Sequence, residues 1–153
     1  TPFGSVVALV VREGNPKNIH DWDDLLQPGI TVVTPNPGSS GSAKWNLLAP
    51  YAAASDGGRN PQAGFDYVRT LVRDHVGVLP KSGREATTAF EQGQGDVLIS
   101  YENEAIMLKR HNDTARAEQR VDYVVPPQTF KIENPVAVVN TSEDRAAART
   151  FVD

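Results

Sequence analysis

Short apolar runs alternate with amphipathic stretches along most of this 153-residue chain. Runs rich in valine and isoleucine predict strands, and apolar residues spaced three or four apart predict helices. The predicted strands cover residues 5–12, 30–34, 76–79, 96–100, 121–125 and 136–139. The predicted helices cover residues 20–26, 42–54, 65–72, 85–92 and 102–110, with a last one that begins near residue 141. Strands and helices that alternate at this spacing predict an α/β sandwich with a mostly parallel central sheet.

Two of the predicted helices have ends that local chemistry defines. Pro50 has no N–H group, so it is expected to kink or end the helix over 42–54. Thr141 or Ser142 is expected to cap the last helix, which would run to Asp153. The packing face of that helix is predicted to consist of Ala146, Ala147, Thr150 and Phe151. Because the chain starts without methionine and stops inside this helix, we expect it to be a piece of a longer protein.

Composition and charge exclude several classes of function. Hydrophobic residues make up 39% of the chain and charged residues 22%, as in ordinary globular domains. The net charge of −4 and the scattered basic residues argue against a nucleic-acid surface, which needs a basic stripe. The absence of cysteine excludes disulfides and thiolate metal sites. No apolar run reaches the roughly 20 residues of a membrane-spanning helix.

Two strand-to-helix junctions carry the residues expected at an anion site. The segment 35–46, rich in proline, glycine and serine, joins the strand over 30–34 to a helix, with Ser40 at its centre. A second junction around Gly83 follows the strand over 76–79. Helix N-termini present unpaired N–H groups and partial positive charge, which together bind small anions. Both junctions follow strands, so they are expected to converge on one ligand, with the Tyr101 hydroxyl as a third donor.

Each of these features also has a purely structural interpretation. Serine and glycine are common before helices because serine caps them and glycine permits tight turns. Arg84 is interpreted as a solvated surface residue unless the turn directs it inward, and Tyr101 as a packing aromatic. Glu102 and Glu104 are interpreted as acids favoured by the helix dipole.

Enzyme chemistry has little support in the sequence. The turn at 38–41 lacks the Gly-x-Ser-x-Gly arrangement of a nucleophile elbow, and no phosphate-binding P-loop is present. The three histidines have no spacing typical of a catalytic dyad or a metal site. The sequence therefore predicts no catalytic residue, no cofactor and no metal, with a serine hydrolase left as an alternative.

Several segments together resemble the sulfate-binding proteins that supply bacterial sulfate ABC importers. The resemblance covers nearly the whole chain in order and spacing, and its segments are 15–17, 20–25, 33–37, 39–41, 45–46, 90–100 and 101–104. It implies one lobe of a type II periplasmic-binding-protein fold, a three-layer sandwich with helices on both sheet faces. Residues 1–153 would form the second lobe as a single domain, without the first lobe of the same protein.

The resemblance also implies the residues of a binding site made only of neutral donors. Ser40 matches the serine whose hydroxyl contacts the anion, followed by the amides of Gly41 and Ser42. The family usually has glycine where Ser42 stands. Gly83 matches a position, usually alanine, whose amide donates. The site residues implied by position are Ser40, Gly41, Ser42, Gly83, Arg84 and Tyr101.

Two of these positions have particular roles by resemblance. Arg84 matches an arginine that supports the second turn, and Tyr101 stands where the best-known members have a tryptophan donor. Because no carboxylate occupies the matched positions, a protonated oxyanion such as phosphate would lack an acceptor and is expected to be rejected.

The implied partners are sulfate, a membrane permease and the first lobe, but no nucleic acid. The protein would work in the periplasm or elsewhere outside the cytoplasm, either unattached or held by a lipid anchor. The alternatives are binding of thiosulfate, molybdate or another tetrahedral oxyanion, and an oxyanion-sensing regulatory domain.

Overall fold

Strands and helices alternate through the computed structural model, which describes residues 3–152. Three short helical turns, two of the 3-10 type and one of the π type, lie at Trp22–Leu26, Ala117–Gln119 and Leu71–His75. In chain order the longer elements are β1 (Phe3–Arg12), β2 (Val32–Val33), α1 (Gly41–Ala54), α2 (Pro61–Thr70), β3 (Val76–Val78), α3 (Gly83–Glu91), β4 (Val97–Tyr101), α4 (Glu102–Arg110), β5 (Val121–Val124), β6 (Lys131–Asn134) and α5 (Arg145–Val152).

The sheet contains a parallel part and an antiparallel part. Its strand order is β3-β2-β4-β1-β5, with β6 pairing separately with β1. The predicted parallel arrangement holds for β2, which runs parallel to both β3 and β4. It is wrong for β1, which is antiparallel to β4, β5 and β6. Hydrophobic patterning indicates which residues are buried but not the direction of a neighbouring strand, so the sequence could not show this difference.

Buried residues of β1 contribute to hydrophobic clusters on both faces of the sheet. Val7, Leu9 and Val11 belong to one hydrophobic cluster, which also contains residues of α1 and α2. Val10 belongs to a second cluster, which contains residues of α3 and α4. Because successive strand residues point to opposite faces, one buried strand supports two cores. This arrangement confirms the predicted three-layer sandwich.

The last strand lies earlier in the chain than predicted. Residues 136–139 form no strand, and Val136 and Val139 are exposed. The strand β6 instead uses Lys131–Asn134, in which Ile132 is buried while its neighbours are not. It pairs with the first residues of β1, whose length of 10 residues leaves room for a partner beyond β4 and β5. Local valine content therefore predicted the wrong segment.

Helix α1 continues past Pro50 to Ala54, so Pro50 does not end the helix, which was one of its two expected effects. Proline removes one helix hydrogen bond, but Pro50 is buried and α1 packs closely against α2. A Cβ atom at Gly64 of α2 would lie 2.6 Å from the Tyr51 ring, so glycine permits this close packing. Tertiary packing thus overrides the local preference.

Helix α5 also differs from its prediction. It begins at Arg145, and its cap is Asp144, whose Oδ1 accepts a hydrogen bond from Ala147 N at 3.0 Å. The predicted caps Thr141 and Ser142 lie before it. Its predicted packing face is exposed in this structure, with the Phe151 side chain 84% exposed. The predicted end at Asp153 lies outside the described residues.

One exposed ion pair links α4 to the sheet and gives a pH-dependent prediction. Asp122 accepts hydrogen bonds from Lys109 Nζ at 2.7 Å and Gly14 N at 2.8 Å, which hold the pKa of Asp122 below its usual value. A lowered pKa stabilises the fold above the ordinary value near 4, and this contribution disappears as the pH falls through the lowered pKa.

We expect Asp122→Asn to lower the free energy of unfolding by about 1 kcal/mol at neutral pH, and by less below about pH 4. Denaturant unfolding over this pH range measures the difference. Glu133→Gln is the control. It removes the exposed ion pair between Glu133 and Lys131 and should have a smaller effect on the free energy of unfolding. If the loss of unfolding free energy in Asp122→Asn stayed constant down to about pH 2, the ionised Asp122 carboxylate would not be the stabilising group.

Candidate functional site

Three helices begin at the same edge of the sheet. Strand β2 leads into α1, β3 leads into α3, and β4 leads directly into α4. Because these strands are mutually parallel neighbours in the order β3-β2-β4, their carboxyl ends lie side by side. In open α/β sheets this edge is where ligands bind. The fold therefore places three helix N-termini around one region.

Hydrogen bonds join the first two junctions directly. Asn36 N donates to Pro80 O at 2.7 Å, and the Ser39 hydroxyl donates to Lys81 O at 2.7 Å. The turn before α1 is thus fixed against the turn before α3. The structure brings together the two turns that the sequence analysis expected to converge.

A cavity of about 330 Å³ lies where the three helices begin. Four of the six predicted site residues line it. Ser40 and Gly41 do not line it but lie next to Ser42, and the Ser40 and Ser42 hydroxyl oxygens are 2.8 Å apart. The lining residues are Pro35, Ser42, Asn46, Gly83, Arg84, Ala86, Thr87, Leu98, Ile99, Ser100, Tyr101 and Glu104.

Two of the three helix starts near this cavity lack the side-chain cap that a remote helix start has. The caps of α1 and α4 are Ser40 and Tyr101, and within residues 3–152 neither side chain accepts a hydrogen bond from a backbone N–H of its first turn. The cap of α2, by contrast, is Asn60, which accepts from Ala63 N at 3.3 Å. Amides without a side-chain cap are the groups that an anion can accept from.

Two of the three cavity helices, α3 and α4, have one backbone N–H of their first turn satisfied by a side chain. In α3 the Ser82 hydroxyl accepts from Glu85 N at 3.2 Å, a bond that does not involve the amides of Gly83 or Arg84. In α4 the Ser5 hydroxyl accepts from Asn103 N at 3.2 Å. Among the described residues near the cavity, the backbone N–H groups that no side chain accepts from therefore lie mainly at the starts of α1 and α3.

Charged groups of both signs lie at the cavity wall. Arg84 and Glu104 are exposed and line it, Glu104 from the first turn of α4, where it was expected as a helix-start acid. The positions matched to donors carry no carboxylate, but the cavity wall as a whole includes that of Glu104. The place of Glu104 in the first turn of α4 has a local explanation, the helix dipole, so no sequence pattern assigned this residue to the site.

Tyr101 supplies a neutral hydroxyl at the end of β4. Its side chain is half-buried and lines the cavity. Burial disfavours the charged phenolate, so the pKa of Tyr101 is raised above its ordinary value of 10. The phenol thus keeps its proton at neutral pH and can donate a hydrogen bond.

Asn46 is a lining residue that the sequence analysis did not assign to the site. It is 1% exposed, and its Nδ2 donates to Ile99 O of β4 at 2.8 Å. Its helical neighbours Ala43 and Ala49 are buried on the same face of α1. A polar residue spaced three positions from two apolar ones was the available signal, since buried amides need hydrogen-bond partners.

Two features are absent from the described residues. Within residues 3–152 no group of three or more histidine, cysteine, aspartate or glutamate side chains is arranged to hold a metal ion. No helix in that part of the chain is both long and apolar enough to span a membrane.

Comparison with known proteins identifies the class. Residues 1–153 match the family described as bacterial extracellular solute-binding protein, and the chain belongs to this family. The sulfate-binding protein of Escherichia coli K12 is 43% identical over 154 residues, which are 99% of this chain and 45% of that protein. The thiosulfate-binding protein of Pseudomonas aeruginosa PAO1 is 38% identical over 149 residues, 97% of this chain and 43% of that protein.

A solved structure is more similar still. The sulfate-binding protein SubI from Mycobacterium tuberculosis H37Rv is 69% identical, with a TM-score of 0.87 over 98% of this chain and 50% of that one. This likeness confirms the predicted lobe of a type II periplasmic-binding-protein fold. The chain spans less than half the length of the two curated relatives and half of the solved one.

The close approach of α1 and α3 at the cavity generates a prediction about Ser42 and Gly83. A Cβ atom at Gly83 would lie 3.3 Å from Ser42 Oγ, which is tighter than ordinary contact. Gly83→Ala should therefore be better tolerated when Ser42→Gly removes that hydroxyl. We expect the two changes to be coupled favourably by at least about 0.5 kcal/mol, measured as unfolding free energies in a double-mutant cycle.

A serine at the opposite end of α1 provides the control for this cycle. Ser55 follows the last residue of the helix, so Ser55→Gly should show no coupling to Gly83→Ala. Strictly additive effects of Ser42→Gly and Gly83→Ala would contradict the close contact.

Proposed function

We propose that the chain binds sulfate as the solute-binding component of a bacterial sulfate ABC importer. The observation that carries this proposal is the convergence of the starts of α1, α3 and α4 on one cavity. Its similarity to proteins named for sulfate binding supports the choice of anion. Residues 1–153 would act as one lobe of a larger protein that closes on its ligand.

In the proposed complex, neutral donors compensate the charge of the anion. The Ser40 hydroxyl and the amides of Gly41 and Ser42 would donate from the start of α1. The amide of Gly83 would donate from α3, and the Tyr101 hydroxyl from the end of β4. Hydrogen bonds to an ionised acceptor are stronger than neutral ones, so a few of them can hold a dehydrated dianion.

Arg84 and Glu104 would act at the edge of this site. Arg84 is exposed beside Gly83 and would support the second turn rather than pair directly with the anion. The carboxylate of Glu104 would repel an anion that approached it, which favours binding toward α1 and α3.

The proposed role is binding and transport, with no chemical step. The relatives are named as binding proteins, which supports a role without catalysis. Work outside the cytoplasm and docking on a membrane permease are part of the same proposal, and the family description as extracellular supports the location.

Thiosulfate is the second candidate ligand. The observation in its favour is the thiosulfate-binding relative, which is 38% identical. Thiosulfate is also a tetrahedral dianion, so the same helix starts would bind it. Titration of the full-length gene product with both anions separates the two candidates by their affinities.

Ser40→Ala tests the proposed site in the full-length gene product. Loss of one hydrogen bond to a charged group should weaken sulfate binding by about 1.5–3 kcal/mol, measured by calorimetric titration. Asn60→Ala, which removes the cap of the remote helix α2, is the control and should leave the affinity unchanged.

Two results would argue against this proposal. Unchanged sulfate affinity in Ser40→Ala would remove Ser40 from the site. Failure of the unmodified protein to bind either sulfate or thiosulfate would contradict the proposed function itself.

Tyr101→Phe tests the third donor. We expect it to weaken sulfate binding about tenfold, since one donor to the anion is lost, and Tyr101→Trp to restore much of the affinity. Because burial raises the pKa of Tyr101 above 10, the difference between tyrosine and phenylalanine should stay constant from pH 7 to about pH 9. Equal affinities of the tyrosine and phenylalanine proteins would exclude a hydrogen bond from this hydroxyl.

A further inference from the structure

Asn46 connects the two walls of the cavity from inside the core. Its Nδ2 donates to Ile99 O of β4 at 2.8 Å and lies 3.4 Å from Thr34 Oγ1, just after β2. Asn46 and Thr34 are both 1% exposed. One buried amide group therefore contacts both the middle of β4 and the residue that follows β2.

The position of Asn46 along α1 relates this contact to the donors. It lies six residues after Ser40, so it belongs to the second turn of the helix whose start carries the proposed donors. Its partner Ile99 lies two residues before Tyr101 on β4. A hydrogen bond between these two points therefore fixes the start of α1 relative to the Tyr101 hydroxyl.

Packing alone does not account for an asparagine at this place. Within residues 3–152 Asn46 Oδ1 is buried and has no hydrogen-bond partner. A buried acceptor without a partner is unfavourable, and a leucine of similar size would avoid that cost. A polar residue kept in the core at such a cost is expected to select one arrangement of the elements around it.

We propose that Asn46 is a positioning residue that sets the distance across the cavity between the start of α1 and Tyr101. It does so through the Nδ2 bond to Ile99 O, without contacting the anion itself. This inference rests on the proposed sulfate-binding function. An error in this distance would misplace several donors at once, so binding should be sensitive to it.

The test uses Asn46→Leu and Asn46→Ala in the full-length gene product. Both remove the bond to Ile99 O, and the smaller alanine provides a second variant should leucine prevent folding. Each should weaken sulfate binding by about tenfold or more, as loss of a residue that orients binding groups does. The measurement is calorimetric titration of the folded proteins.

A second measurement separates positioning from a general loss of stability. Selenate is a tetrahedral dianion with longer bonds than sulfate, so its fit depends on the distance across the cavity. The ratio of sulfate to selenate affinity should therefore change in both Asn46 variants. A variant that is only less stable would lower both affinities by the same factor.

Asn112 offers a matched control away from the cavity. Its Nδ2 also donates to a backbone carbonyl, Val121 O, at 2.8 Å. It lies just after α4, at the opposite end from Tyr101. Asn112→Leu should lower the stability but leave the sulfate affinity and the selenate ratio unchanged.

Each outcome decides for or against the inference. Weaker binding with a changed ratio in the Asn46 variants, and neither in Asn112→Leu, supports it. Sulfate affinity within twofold of the unmodified protein overturns it, and so does weaker binding with an unchanged ratio. If the unmodified protein binds no sulfate, the proposed function is contradicted and the inference fails with it.

Discussion

The parallel pairing of β2 with β3 and β4 is the constraint on which the proposed site depends. Parallel neighbours end at the same edge, so the helices that follow them begin at the same edge. Each helix start contributes N–H groups and partial positive charge, and three of them surround one cavity. Antiparallel pairing of any of these strands would send its helix start to the opposite edge.

The antiparallel strand β1 supports this arrangement from the other side. It runs through the centre of the sheet, fully buried from Val7 to Val10, and its side chains enter both hydrophobic clusters. Ser5, near its start, reaches the first turn of α4. The mixed sheet therefore combines a buried central strand with a parallel part that carries the proposed binding residues.

The sequence predicted those features that local chemistry determines. The junctions at Ser40 and Gly83 could be recognised because serine, glycine and proline before an apolar helix have a direct physical meaning. The segment 136–139 was mistaken for a strand because strand pairing depends on the distant partner β1, not on valine content. Asn46 was missed because its role depends on Ile99, 53 residues away.

Amide chemical shifts test the central claim most directly. In a sulfate titration of the full-length gene product, we predict large shifts for the amides of Gly41, Ser42 and Gly83. The start of α2 serves as an internal reference, because Asn60 already caps it and it lies outside the cavity. Equal shifts at Ala63 and at the cavity amides, or none at the cavity while sulfate is bound, would contradict the claim that these helix starts hold the anion.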